Sequence, residues 1–114
     1  MKIKTSLLLT GSMFFALASL SPVHAAFDEA AAKAMAKKND CFKCHAPDKT
    51  KKGPSLKKIA AKYKEKKLGE KEAIKQMTEG KKVKLEDGSE EDHKIIETKD
   101  PKELSNMAQW ILSH

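Results

Sequence analysis

Two cysteines and a histidine form the part of the sequence best suited to chemistry. Cys41 and Cys44 are the only cysteines in the 114 residues, and they stand in the pentapeptide Cys41-Phe-Lys-Cys44-His45. The Cys-x-x-Cys-His pattern is typical of covalent haem attachment. Residues three apart face the same side of a helical turn, so both thiols can add to the two vinyl groups of one porphyrin. His45 follows on that turn and can bind the iron. The pentapeptide therefore predicts one covalently bound haem c per chain.

Three other interpretations of the pentapeptide are weaker. A thioredoxin-like redox pair needs a βαβ context, and no segment alternates for long enough to predict a strand. A disulfide between Cys41 and Cys44 would close a small loop and add little stability. A zinc site would need four ligands, for which the pentapeptide and His93 are the candidates, but the side chains of adjacent residues such as Cys44 and His45 diverge.

The first 25 residues have the composition of a secretory signal peptide. Two lysines precede an uncharged run over residues 7–20, and Val23-His24-Ala25 offers a cleavage site. The uncharged run is shorter than the roughly 20 apolar residues that cross a bilayer, although an uncleaved anchor is the alternative. We expect cleavage after Ala25 to leave residues 26–114 as a single exported, periplasmic domain without stable membrane insertion.

Residues 26–114 predict an all-α fold with about four short helices and a small core. Leu, Ile, Val and Phe account for only 13 of these 89 residues, a low proportion for so charged a chain. A large apolar group must therefore fill the centre. The four predicted helices are residues 29–38 after an N-cap at Asp28, a helix capped by Ser55, residues 70–79 ended by Gly80, and a helix with Asp100 at N-cap, Pro101 at N1 and Glu103 at N3.

Charge is unevenly distributed along the chain. Residues 33–84 carry 18 Lys and 6 acidic residues, a net +12, whereas residues 85–114 carry 3 Lys and 8 acidic residues, a net −5. The basic part can steer the protein to acidic faces of other proteins, or it can simply be a solvated surface. Nucleic acid is an unsuitable partner, because the chain is exported and has no Arg to read guanine edges.

Nearly all of residues 27–114 resembles a small bacterial class I cytochrome c. An Ala-rich helix leads into the pentapeptide at Cys41–His45, Gly53-Pro54 follows it, and Ala108-Gln109-Trp110-Ile111-Leu112 is similar to the last helix of that family. The resemblance implies about four helices around one haem, with the first and last helices crossing. It also implies electron transfer through an exposed haem edge, rather than an enzyme activity.

The sequence departs from this family at the second axial ligand of the iron. Members of the family usually supply a Met from the loop before the last helix, but here residues 81–99 contain no Met and contain His93. We therefore predict His93 as the distal ligand. Met77 and Met107 are less favoured alternatives, since both belong to apolar helix stripes, and an open or exchangeable position is a third. A solvated histidine among acidic neighbours is the simplest competing interpretation.

These features predict a periplasmic single-haem electron carrier of relatively low reduction potential. An axial Met raises the potential of a haem, so a second imidazole in its place should give a lower potential. The alternative is a haem-based gas sensor or ligand-binding protein with a displaceable His93. A peroxidase-like enzyme is disfavoured, since no distal Arg exists. Redox proteins with acidic docking faces are the expected partners. The lysines expected around the haem edge are Lys43, Lys49, Lys51, Lys52, Lys57 and Lys58.

Overall fold

The computed structural model describes residues 27–114, so the predicted signal peptide, residues 1–25, lies outside the described residues. The described part is an assembly of four α-helices with a small two-stranded sheet, which confirms the predicted all-α fold of about four short helices. None of these helices has the length and apolar character of a membrane span. In chain order the elements are α1 (Glu29–Lys38), a 3₁₀ turn (Cys41–Lys43), α2 (Leu56–Glu65), α3 (Glu70–Thr78), β1 (Lys82–Lys84), β2 (Glu90–Asp92) and α4 (Pro101–Leu112).

The helices begin where side chains can satisfy their first backbone amides. The side chains of Asp28, Ser55 and Asp100 accept hydrogen bonds from the first turns of α1, α2 and α4, as predicted. Glu103 does not reach back to the N-cap amide of α4. Its carboxylate accepts a hydrogen bond from the Thr98 hydroxyl instead, and that hydroxyl accepts one from the Asp100 amide.

Helix α4 is the centre of the packing and contacts α1, α2 and α3. Its crossing with α1 is close because small residues meet there, and Ala32, Ala36 and Ala108 are almost completely buried. The amide of Asp28 donates to the Asn106 side chain at 2.6 Å, and that side chain donates back to the Asp28 carbonyl at 2.9 Å. The contact between first and last helices that the sequence predicts is therefore present.

The prediction that no segment forms a strand is wrong for residues 81–99. Strands β1 and β2 pair antiparallel, with Lys82 opposite Asp92 and Lys84 opposite Glu90. The strands are too short to show an alternating pattern, but opposite charges face each other across the pair. Gly88, with φ of 85°, allows the turn between them. This hairpin folds the long loop into a compact shape that ends one residue before His93.

Candidate functional site

A cavity of about 720 Å³ lies between α2, the hairpin and the pentapeptide. Voids of this size are rare inside folded proteins but typical of sites for prosthetic groups. Its walls include Cys41, Cys44, His45 and His93, which were predicted from the sequence. Apolar side chains supply much of the remaining lining, namely Ile59, Tyr63, Leu68, Met77, Val83, Leu85, Ile95 and Ile96. The described part of the chain thus leaves a large, mostly apolar space beside its small helical core.

The pentapeptide forms one helical turn at the cavity wall. The amides of Cys44 and His45 both donate to the Cys41 carbonyl, at 3.2 and 2.9 Å. Both cysteines are half-buried, and they do not form a disulfide with each other. Burial raises the pKa of the Cys41 thiol, with Asp40 adding to the rise. The turn thus presents two thiols and one imidazole to the same cavity.

His45 is held from behind by the loop that follows it. Its Nδ1–H donates to the Pro54 carbonyl at 2.6 Å, which leaves Nε2 as the nitrogen with a free lone pair. Gly53 is buried beside the ring, and its amide donates to the Cys44 carbonyl at 2.9 Å. A Cβ at this position would lie 2.9 Å from His45 Cε1, so only glycine fits without displacing the imidazole.

His93 faces His45 across the cavity, and the centres of the two rings are 6.2 Å apart. The Nδ1–H of His93 donates to the Lys94 carbonyl at 2.9 Å, so Nε2 is again the nitrogen left over. Partial burial lowers the pKa of His93, while the bond to Lys94 raises it and nearby His45 lowers it. A lowered pKa favours the neutral imidazole, which is the form that binds metals.

The two methionines considered from the sequence occupy different places. Met77 is buried on α3 and lines the cavity. Met107 is buried in the helical core, packs in the cluster around Trp110 and is not among the residues that line the cavity. His93 is accordingly the residue that the structure brings opposite His45.

Of the six lysines predicted around the haem edge, all are exposed but only Lys58 lines the cavity. Lys62 follows Lys58 by one turn of α2, and Lys66, the residue directly after that helix, follows by four more positions; both also line the cavity. The helical spacing of four was the signal in the sequence that could have identified this row.

The cysteine, histidine and carboxylate side chains of residues 27–114 do not form any cluster of three or more that could hold a metal ion unaided. A zinc site made by the pentapeptide and His93 is therefore not assembled in this part of the chain. A porphyrin supplies four nitrogens of its own, so its iron needs only one or two protein ligands. The donor set at the cavity fits a haem.

The sequence profile of the family described as Cytochrome c matches residues 29–114. The chain belongs to the cytochrome c family. Its cofactor is therefore haem c, one per chain and covalently bound.

Two solved structures show how this cytochrome compares with relatives. The class 1 cytochrome MtoD from Sideroxydans lithotrophicus ES-1 is 49% identical, with a TM-score of 0.72, over 77% of this chain and 97% of that one. Wild-type cytochrome c552 from Nitrosomonas europaea is 27% identical, with a TM-score of 0.54, over 71% and 96% of the two chains. No curated protein sequence matches significantly. Both neighbours support the class I cytochrome c fold.

Proposed function

We propose that this cytochrome is a periplasmic electron carrier in which His45 and His93 are the two axial ligands of one haem iron. Cys41 and Cys44 are its covalent attachment points. Family membership supports electron transfer as the activity, and the resemblance of residues 1–25 to a signal peptide supports export.

The spacing of the two imidazoles is the observation that carries the ligand assignment. A histidine nitrogen–metal bond is about 2 Å long, and the ring centre lies roughly 1 Å behind the nitrogen. Two imidazoles on opposite sides of one metal therefore have centres about 6 Å apart, by the same bond length. The separation between His45 and His93 is 6.2 Å.

The hydrogen bonds behind the two rings support the same assignment. A metal-binding histidine usually donates its other N–H to a carbonyl or carboxylate, which fixes the tautomer and the ring orientation. Pro54 provides this acceptor for His45, and Lys94 provides it for His93. Each hydrogen bond therefore leaves Nε2 of its ring as the nitrogen that can bind a metal.

Two strong axial ligands suit electron transfer and disfavour catalysis. The haem supplies the one-electron redox centre when it is bound. If the imidazoles of His45 and His93 both hold the iron, little would rearrange on reduction, and no position would be open to a substrate. Imidazole in place of axial Met also lowers the potential relative to His/Met cytochromes.

The partner that we propose for this carrier is a redox protein with an acidic docking face. Lys58, Lys62 and Lys66 form a row on the α2 wall of the haem cavity. None of them forms an ion pair within the described part of the chain, where the lysines that do so are Lys33, Lys43, Lys75, Lys81 and Lys94. Their uncompensated charge is available to attract acidic residues beside the haem edge.

Replacing His93 by Ala tests the ligand assignment. The wild type should be low-spin in both oxidation states and should lack a sulfur-to-iron charge-transfer band. His93→Ala should show high-spin character and should bind carbon monoxide in the ferrous state, because one axial position is then open.

Met77→Leu and Met107→Leu are the controls, and they should leave the spectrum unchanged because Leu and Met have similar volumes. A sulfur-to-iron band that is present in the wild type and lost in either Met variant would overturn the assignment. Rapid binding of carbon monoxide by the resting wild type would instead favour the ligand-binding alternative.

A further inference from the structure

The segment that follows His93 is tied to the end of α1 by two contacts between distant parts of the chain. Lys94 Nζ lies 2.9 Å from Asp40 Oδ2. The amide of Glu97 donates to Asn39 Oδ1 at 3.3 Å. We call these two contacts the distal latch. They join the residues beside the candidate distal ligand to the residues directly before Cys41.

Asn39 and Asp40 are themselves held in place for this role. The Asn39 side chain donates to the Met35 carbonyl at 2.9 Å, which leaves its Oδ1 as the acceptor for Glu97. Asp40 has a φ of 58°, a left-handed conformation that Asp and Asn tolerate better than other residues with a Cβ. This conformation lets the chain turn sharply from α1 into the attachment turn while the Asp40 carboxylate faces Lys94.

The latch acts beside His93, in a segment that backbone hydrogen bonds hold at two points, of which the first joins the His93 amide to the Lys81 carbonyl at 2.9 Å. Ile96 is buried, and its amide donates to the Met77 carbonyl at 2.9 Å, so the chain is anchored three residues after the histidine. Lys94 lies between His93 and Ile96, and its carbonyl accepts the hydrogen bond from Nδ1 of the His93 ring. Any movement of the Lys94 backbone is therefore passed directly to the imidazole.

We propose that Asp40 and Asn39 are positioning residues for the distal ligand, because the latch keeps His93 in place and slows its departure from the iron. This inference rests on the proposed His93 ligation. Asp40 contributes through its ion pair with Lys94, and Asn39 contributes through the Glu97 amide.

The chain offers a matched control for the ion pair. Asp40 also pairs with Lys43, at 3.1 Å, through its other carboxylate oxygen. Lys43 belongs to the attachment turn and not to the distal segment. Lys43→Gln and Lys94→Gln therefore each remove one positive charge and one exposed ion pair from the same carboxylate, but only Lys94→Gln loosens the distal segment.

The rate at which the ferric holoprotein takes up cyanide measures how often His93 leaves the iron. At neutral pH the probe is mostly uncharged hydrogen cyanide, so changes in protein charge have little influence on its approach. At saturating cyanide we expect Lys94→Gln and Asp40→Asn to react roughly two- to five-fold faster than wild type, the range for an exposed ion pair. Lys43→Gln should react at the wild-type rate.

Asn39→Ala should also accelerate the reaction, and its combination with Lys94→Gln should react fastest. Hydrogen exchange at the His93 and Glu97 amides provides a second measurement on the same proteins. Both amides should exchange faster in Lys94→Gln than in Lys43→Gln.

Equal cyanide rates and equal exchange in Lys94→Gln and Lys43→Gln would overturn the latch, even if the wild type is low-spin and bis-histidine. A His93→Ala protein with the wild-type spectrum would overturn the ligand assignment itself. The two failures are thus distinguished by different variants and different readouts.

Discussion

Two backbone carbonyls fix the orientation of the two histidine rings that face each other across the cavity. Pro54 and Lys94 each accept a hydrogen bond from Nδ1 of the neighbouring ring. Because a carbonyl can only accept, each ring must carry its proton on Nδ1 and leave the lone pair on Nε2. The acceptors are backbone carbonyls, so the orientation of each imidazole depends on the local backbone conformation. A small displacement of the backbone, or a steric clash with the ring, should therefore change that orientation.

Gly53→Ala should disturb the proximal ligand. The added Cβ would stand 2.9 Å from His45 Cε1 and 3.4 Å from the Cys44 carbonyl oxygen, so the imidazole has to move. We expect the free energy of unfolding of the holoprotein to fall by about 1–3 kcal/mol, as for other overpacked sites. The haem absorption spectrum and the reduction potential should change as well, and redox titration with denaturant unfolding would measure these effects.

Gly69→Ala is the control for this substitution. Its Cβ would meet only Glu72 Oε2, at 3.8 Å, which is an ordinary contact far from either histidine. The spectrum and potential of Gly69→Ala should match the wild type. A Gly53→Ala protein with an unchanged spectrum, potential and stability would show that the glycine is not needed for His45.

At the scale of elements, a local cap starts each helix, whereas the packing of the helices against one another depends on α4. The N-cap residue Asp100 accepts a hydrogen bond from the Lys102 amide at 2.9 Å, and Pro101 occupies the first helical position. Helix α4 contacts the other three helices. Weakening its first turn should therefore reduce the stability of the whole molecule rather than fray one end.

Asp100→Ala should lower the free energy of unfolding by about 1 kcal/mol, because one amide of the first turn loses its acceptor. Urea unfolding of the holoprotein, followed by circular dichroism, measures the loss. Lys99→Ala is the control, since Lys99 is exposed and its side chain does not cap α4. Equal stability of the two variants would mean that the cap contributes nothing measurable.

The hairpin shows what the sequence could have predicted at this scale. Asp87-Gly88 is a turn signal, and the lysines of β1 oppose acidic residues of β2. The amide of Glu86 donates to the Lys52 carbonyl at 3.2 Å, which joins the hairpin to the loop behind the attachment turn. The hairpin thus closes one side of the haem cavity. Two strands of three residues each have too short a pattern to predict from the sequence that they pack beside the cavity.

At the scale of the whole molecule, the small hydrophobic core lies beside a large cavity that the proposed haem would fill. The helices bury a small cluster around Met107 and Trp110, and the cavity of about 720 Å³ occupies much of the remaining interior. We therefore expect the folded state to be stabilised by the bound group, as when a ligand binds only the native state.

The double variant Cys41→Ala with Cys44→Ala should have no stable folded domain, because covalent attachment is lost and the cavity is left unfilled. Far-ultraviolet circular dichroism of the purified protein would show little helix. His93→Ala, which keeps both thioether links, should remain helical under the same conditions. A double variant that is cooperatively folded without haem would contradict this prediction.

Electron exchange with an anionic oxidant should slow as salt is added, since exposed charges are screened beyond about 10 Å at 0.1 M ionic strength. Hexacyanoferrate(III) can stand in for an acidic partner, with the rate followed by stopped-flow absorbance. Replacing Lys58 and Lys62 together by Gln should reduce the rate at low salt and flatten its salt dependence.

Lys33→Gln with Lys102→Gln makes the same change in net charge at positions that do not line the cavity. This pair should have a much smaller effect on the rate. If both pairs of substitutions slow the reaction equally, net charge alone steers the oxidant and the α2 lysine row has no special role.

The sequence by itself determined the features that depend on neighbouring residues. The pentapeptide predicted haem c, and Asp28, Ser55 and Asp100 located three helix starts. Both kinds of signal involve residues only a few positions apart. Position along the chain was also enough to nominate His93, although not to show what it faces.

Only the tertiary structure decided which distant groups meet. His45 and His93 are 48 positions apart in the chain, yet their rings lie 6.2 Å apart because the hairpin and Ile96 bring the distal segment over the cavity. The same packing joins Asp40 to Lys94 and places Lys58, Lys62 and Lys66 beside the cavity. Such contacts depend on how helices and loops pack in space, which local propensity and spacing do not specify.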